Sequence, residues 1–162
     1  MIIHLLVKKI NNQKFIKSSW KQFDNEMQVS LYSIVMILKE LIPQMMKQKY
    51  GRIIIMLSSY TLNIPPKFLS SYVTVKYALL GLIKSLSVEY ANKGITINGI
   101  SPEMIETKFL SDIPKLIVQK NAQDSPLGRN LYVQDIIPMF LYLLSDEAEV
   151  ITGQNFGITG GM

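Results

Sequence analysis

The first sustained pattern of apolar positions begins behind a polar stretch. Ser19, with Gln22 three positions on, has the spacing of a capping box. Met27, Leu31, Ile34, Leu38, Leu41 and Met45 then recur at alternating steps of four and three, the stripe of an amphipathic helix running to about Lys49, with Gly51 suited to its left-handed stop. Pro43 lies inside the pattern and is expected to kink or loosen the last turns. Arg52–Leu57 (RIIIML) is an apolar, largely β-branched run too short for a core helix, which predicts a strand covered on both faces. A second long helix is predicted from Ser71 to Lys93, with Val75, Leu79, Leu82 and Leu86 on one stripe and Gly94 closing it. Ile95–Ile100 (ITINGI) reads as the next strand, ended by Ser101 and Pro102.

After a loop-rich stretch from Glu103 to Asn130, with a short helix near Ile113–Gln119, a third helix is expected at Val133–Leu144 and a last strand at Gln154–Thr159. The opening Ile2–Val7 reads as a short buried strand or the tail of one. Strands alternating with long helices imply crossover units, hence an α/β fold with a parallel sheet. The expected order puts Ile2–Val7 against Arg52–Leu57, then Ile95–Ile100, then Gln154–Thr159.

Composition narrows the function classes. With 48% hydrophobic and 18% charged residues over 162 positions the chain is an ordinary globular domain with a core, not a disordered one. The formal charge of +5 is spread over separated lysines interleaved with acids, which argues against a nucleic-acid stripe. There is no cysteine and one histidine, His4, so disulfides, thiolate centres and multi-histidine metal sites are excluded and a reducing, cytoplasmic setting is expected. No stretch reads as the ~20 apolar residues of a membrane helix.

Against that background, Tyr72 and Lys76 stand four apart at the start of a helix, with Ser58 and Ser59 ending the preceding strand. An i, i+4 pair lies on one helix face, at the carboxyl edge where open α/β sheets bind ligands. A free phenol titrates near ~10, and a neighbouring cation favours phenolate by roughly one to three units.

Four segments, GRIIIMLSS, SYVTVKYALLGLIKSLSVEYANKGITINGISP, PLGR and ITGQNFGITGG, keep the order and spacing of the second half of a short-chain dehydrogenase/reductase of the single-domain type, which the chain resembles from Trp20 to Met162. The resemblance implies a doubly wound, Rossmann-like parallel sheet with helices on both faces, and hydride transfer between NAD or NADP and a carbonyl or alcohol. It makes Tyr72 the acid/base and a cofactor contact, has Lys76 assist it and bind the nicotinamide ribose, and sets a serine at the strand end against the substrate carbonyl. Counting forward from Arg52 favours Ser58; counting back from Tyr72 favours Ser59; Ser58 is preferred because strands are stiff and loops absorb insertions. Pro102, Ile105 and Thr107 fall in the segment that meets the nicotinamide end. The three-residue gap between Tyr72 and Lys76 resembles ketoreductases more than enoyl reductases, with the beta-ketoacyl-carrier-protein type nearest. Small carbonyl or alcohol substrates and self-association through the long helices are implied, with no nucleic-acid or membrane partner.

Three departures accompany the resemblance. Ser30 stands where the family places an asparagine that organises a water relay to the lysine, and Glu103 follows Pro102 where the family has glycine. The residues HLLVKKINN occupy the place of the family's Asn-Asn-Ala-Gly segment, and no glycine-rich turn for a pyrophosphate occurs among the 162 residues. The chain is therefore expected to be a fragment lacking the amino-terminal half of the fold, with a non-catalytic, partner-binding remnant as the alternative to an enzyme. The apolar Ile105, Phe109, Leu110, Ile113 and Leu116 are expected to cover the substrate.

Overall fold

The computed structural model describes all residues except 6–9 and 11, and all side chains of the rest except those of 109 and 112. Four strands, β1 (Ile2–His4), β2 (Gly51–Met56), β3 (Ile95–Pro102) and β4 (Asn155–Ile158), pair in parallel in that order. The registers Ile2↔Ile53, Gly51↔Ile95 and Gly99↔Asn155 begin the three pairings. The parallel α/β architecture and strand order expected from the pattern are both present, with Leu6 and Val7 of the expected first strand lying outside the described residues.

Helices cover both faces, and the strand period of two decides which residue faces which helix. Ile53, Ile55 and Leu57 join Ile95 and Ile97 under α2 (Ser33–Gln48) and α3 (Ser70–Tyr90), where Ile34, Leu38, Ile42, Val75, Leu79 and Ile83 complete one cluster. Ile54 and Ile100 point the other way, into a second cluster with Ile136, Phe140 and Leu143 of α5 (Val133–Leu144). Both layers are nearly sealed: Ile54 is 1% exposed and Ile55 0%. Burying each such side chain contributes about 1.5–3 kcal/mol.

The capping box forms as expected, with Ser19 N–H donating to Gln22 Oε1 at 2.9 Å ahead of α1 (Trp20–Met27). The long first helix is not uniform. A π-helical turn at Gln28–Tyr32 separates α1 from α2, so the irregularity falls there, while α2 runs on through Pro43. Its left-handed stop is Lys49 (φ 51°), not Gly51, which already opens β2. A glycine is needed instead at Gly94 (φ 73°), where an added Cβ would run into the Lys49 carbonyl oxygen. By length and composition the helical run Trp20–Gln48 could cross a membrane, its most apolar window having a mean hydropathy of 1.3. That corrects the expectation that no stretch is long enough; the stripe Ile34, Leu38, Ile42 and Met45 is spent on the sheet, as in a core helix. The short helix after β3, α4, spans Lys115–Asp124, a few residues later than expected.

Gly94→Ala is expected to destabilise the fold by about 1–3 kcal/mol, because a strained left-handed residue is pressed against backbone that cannot yield. Urea unfolding followed by circular dichroism checks this; an unchanged midpoint would show that the α2–β2 and α3–β3 corners can move apart.

Candidate active site

Beyond β2 the chain turns sharply. Ser58 is extended and buried, and Ser59 opens a single turn of 3₁₀ helix through Thr61. The turn is fixed from beneath: Thr61 Oγ1 donates to Ser58 O at 2.8 Å and accepts from Asn155 Nδ2 at 3.0 Å, while Ser101 Oγ donates to Asn155 Oδ1 at 2.6 Å. Three strand ends are thereby tied into one floor. Tyr72 and Lys76 rise from the first turns of α3 on the same side, as their i, i+4 spacing requires.

These groups border one cavity of about 340 Å³. Ser58, Ser59, Tyr72, Lys76, Pro102, Ile105 and Thr107, all singled out from the sequence, line it together with Tyr60 and Glu103. Ile105 is held by a parallel bridge to Leu131. Leu110 and Ile113 complete the apolar wall as expected, whereas Leu116, 77% exposed, stands outside it and the Phe109 side chain is outside the described residues. Ser30 does not reach the cavity wall; it is buried within the π-helical turn. Of the two serines, Ser58 is near enough to the Tyr72 phenol to influence its proton.

The electrostatics differ from the simple picture of a cation lowering a phenol. Burial is the largest influence on Tyr72 and pushes its phenol up to about 12. The nearby Ser58 opposes this, and Tyr60, Glu26 and Glu103 add to it. Burial also holds the Lys76 ammonium down to about 8, against the pull of Glu26. Burial thus works against the charge of Lys76 as well as against ionisation of Tyr72. Its Nζ lies 5.6 Å from the Tyr72 ring centroid and donates to Met56 O, the last carbonyl of β2, at 2.9 Å.

Several participants carried no sequence signal. Tyr60 packs edge-on against Tyr72 with ring centroids 6.3 Å apart, a contact created by the serine turn. Glu26 is 3% exposed although its helix shows it only as one acid among polar neighbours. His4, also buried, meets Ser33 Oγ at 3.2 Å, and Ser33 donates to Val29 O inside the π-helical turn at 2.5 Å. Burial and the Lys76 charge both lower the imidazole's pKa. The arginine of PLGR serves the structure. Arg129 holds Asp135 through two bonds of 2.7 and 3.0 Å, and Asp135 accepts from Tyr132 N–H at the start of α5. Arg129's hydrogen bond, then that backbone bond, draw the Asp135 carboxyl down to about 2.

A parallel sheet wrapped by helices on both faces, with a ligand-sized cavity at its carboxyl edge, is a Rossmann-like arrangement. A family model described as Enoyl-(Acyl carrier protein) reductase matches residues 4–162, and the chain belongs to the short-chain dehydrogenase/reductase family. It is 34% identical over 143 residues to the 3-oxoacyl-(acyl-carrier-protein) reductase of Buchnera aphidicola subsp. Acyrthosiphon pisum, covering 87% of this chain and 57% of that protein. Among solved structures, 4-hydroxyisoleucine dehydrogenase complexed with NADH superposes with a TM-score of 0.84 at 27% identity, over 98% of this chain and 66% of that one. The Agrobacterium tumefaciens C58 3-oxoacyl (acyl-carrier-protein) reductase with NADP bound shares the fold with a TM-score of 0.89 at 22% identity, over 99% and 63%. The chain therefore spans less than two thirds of the length of these relatives.

The Lys76 shift has a measurable sign. Its folded value of about 8 lies below the ordinary 10.5, so between these limits the unfolded chain binds more protons and stability rises with pH. Below pH 8 the folded protein carries the full cost of the buried ammonium, about 3 kcal/mol at ~1.4 kcal/mol per pH unit. The stability difference between Lys76→Met and wild type is expected to fall by about that amount from pH 7 to 10.5. Urea melts across this range read it, and a difference independent of pH would contradict a buried ammonium.

Proposed function

We propose that the chain carries the catalytic portion of an NAD(P)-dependent oxidoreductase that reduces a small carbonyl compound, with Tyr72 as proton donor, Ser58 as the carbonyl's hydrogen-bond partner and Lys76 as the group that holds the nicotinamide ribose. The observation that carries this reading is the meeting of Ser58 and Tyr72 in one cavity with Lys76 behind them. Pro102, Ile105 and Thr107 border the same space and suit the flat nicotinamide end. When bound, the cofactor supplies the hydride. A phenol held up to about 12 is protonated at neutral pH, the state a donor to a developing alkoxide needs. Ser58 O–H, aimed at the same oxygen, steadies the charge while the proton moves from Tyr72 to that oxygen.

The pyrophosphate end is a different matter. The nine glycines of the chain form no G-x-G-x-x-G turn, so these 162 residues offer no helix N-terminus built for it. In this reading the 162 residues act joined to the glycine-rich portion that the longer relatives contain. The three-residue gap between Tyr72 and Lys76, and the 3-oxoacyl reductases among the relatives, support a ketoreductase over an enoyl reductase. Exposed Met36 and Ile37 on α2 and Tyr77 on α3 support self-association through these helices, in a cytoplasmic setting consistent with the absence of cysteine.

The missing turn also favours a second reading, a non-catalytic module that keeps the fold and binds a partner. Both readings expect residues 1–162 alone to bind NADH and NADPH more weakly than about 1 mM, a loss of several factors of ten at ~1.4 kcal/mol each. Isothermal calorimetry on the purified chain tests that weakness, and micromolar binding would show that half of the family fold suffices. The two readings part in a chimera that joins the dinucleotide-binding portion of a 3-oxoacyl reductase to residues 1–162. Carbonyl-dependent NADPH oxidation is expected, with kcat falling about 10²–10⁴-fold in Tyr72→Phe. A folded chimera that binds cofactor and remains inactive would favour the module.

A further inference from the structure

Among the described residues, Glu103 is the only acidic side chain lining the cavity, and Lys76 the only basic one. Most other lining residues are isoleucine, leucine, methionine or tyrosine, so an ionic group there is poorly screened. The glutamate is firmly placed. Its N–H donates to Ile158 O at 3.0 Å, next to the end of β3, and its Oε1 accepts from Asn121 Nδ2 of α4 at 3.2 Å. The second carboxylate oxygen has no hydrogen-bond donor among the described residues. Lys76 forms no ion pair with it; its Nζ donates to Met56 O instead.

The charge is felt across the cavity, because Glu103 disfavours ionisation of both Tyr60 and Tyr72. A pocket with a carboxylate, one of whose oxygens accepts no hydrogen bond from the described residues, and largely apolar walls is complementary to a ligand with an apolar body and an ammonium group. It is hostile to a carboxylate or phosphate at the same point, which would face Glu103 across a low-dielectric gap.

We infer that Glu103 makes this cavity selective for alcohols or ketones bearing a cationic amine, and sets it against anionic ones. The inference rests on the oxidoreductase reading only for which substrate group reacts. The amine would lie towards Glu103 and the reacting oxygen towards Ser58 and Tyr72. It moves the substrate of this ketoreductase-like site away from neutral acyl thioesters.

Three stable compounds of one shape test this: trans-4-aminocyclohexanol, cyclohexane-1,4-diol and 4-hydroxycyclohexanecarboxylate. Each is titrated at pH 7 into ¹⁵N-labelled protein, with amide shifts around the cavity giving Kd. The amine is expected to bind at least about tenfold more tightly than the diol, and the acid at least about tenfold more weakly, a step of ~1.4 kcal/mol each way. In Glu103→Gln the amine should fall to the diol's affinity while the diol keeps its own. Glu103→Asp, which keeps the charge, should retain the preference and serves if the glutamine variant does not fold. Equal binding of amine and diol, a preference that survives in Glu103→Gln, acid binding as tight as the diol's, or no binding of any of the three would each overturn the inference. These measurements involve no turnover, so their outcome is separate from that of Tyr72→Phe in the chimera.

Discussion

The parallel pairing of β2 with β3, Gly51↔Ile95 through Met56↔Ile100, is the constraint on which the rest depends. Parallel strands share a carboxyl edge and need a crossover between them. Here the crossover is α3, so the chain must leave β2 at that edge, turn through Ser58–Thr61, and start α3 nearby with Tyr72 and Lys76 on its first turns. The next strand ends at the same edge, delivering Pro102 and Glu103. One pairing thus brings together groups far apart in sequence, and the all-apolar interior of RIIIM, buried on both faces, makes that pairing hard to shift.

Within the site, desolvation prevails over charge. A tyrosine and a lysine four residues apart suggest mutual assistance, yet both are driven towards their neutral forms, the phenol up to about 12 and the amine down to about 8. The reason is the sealed setting that makes the site useful: a floor of sheet, apolar walls, and a lysine only 3% exposed. Such a site keeps the tyrosine protonated at neutral pH. Glu26, His4 and Ser30 are buried as well, and His4 is tied through Ser33 to Val29 of the π-helical turn, where an extra backbone residue per turn loosens the helix.

Much of the fold was legible because burial repeats. The four-and-three spacing from Met27 to Met45, the uninterrupted RIIIML and the alternation of strands with long helices each report a face that must be covered, and each produced the element expected. The pattern could not show the π-helical turn, since adding one residue to a turn leaves the apolar spacing nearly intact. It also assigned the left-handed stop to Gly51 because glycine adopts that conformation freely, whereas Lys49 is forced into it by the tight approach to β2.

The site divides along the same line. Spacing and the family resemblance grouped Ser58 or Ser59, Tyr72, Lys76, Pro102, Ile105 and Thr107, and all of them border the same cavity. Sequence left Ser58 and Ser59, which differ by one position, as alternatives; both line the cavity, and Ser59 opens the 3₁₀ turn. Nor could it assign Tyr60 a partner, bury Glu26, or aim Glu103 into the cavity. Those outcomes depend on which distant segments meet, and the protonation of Tyr72 and Lys76 depends on how completely that meeting excludes water. Spacing along the chain singles out the candidate groups; only the packed structure sets their surroundings, because exclusion of water is a property of the whole fold.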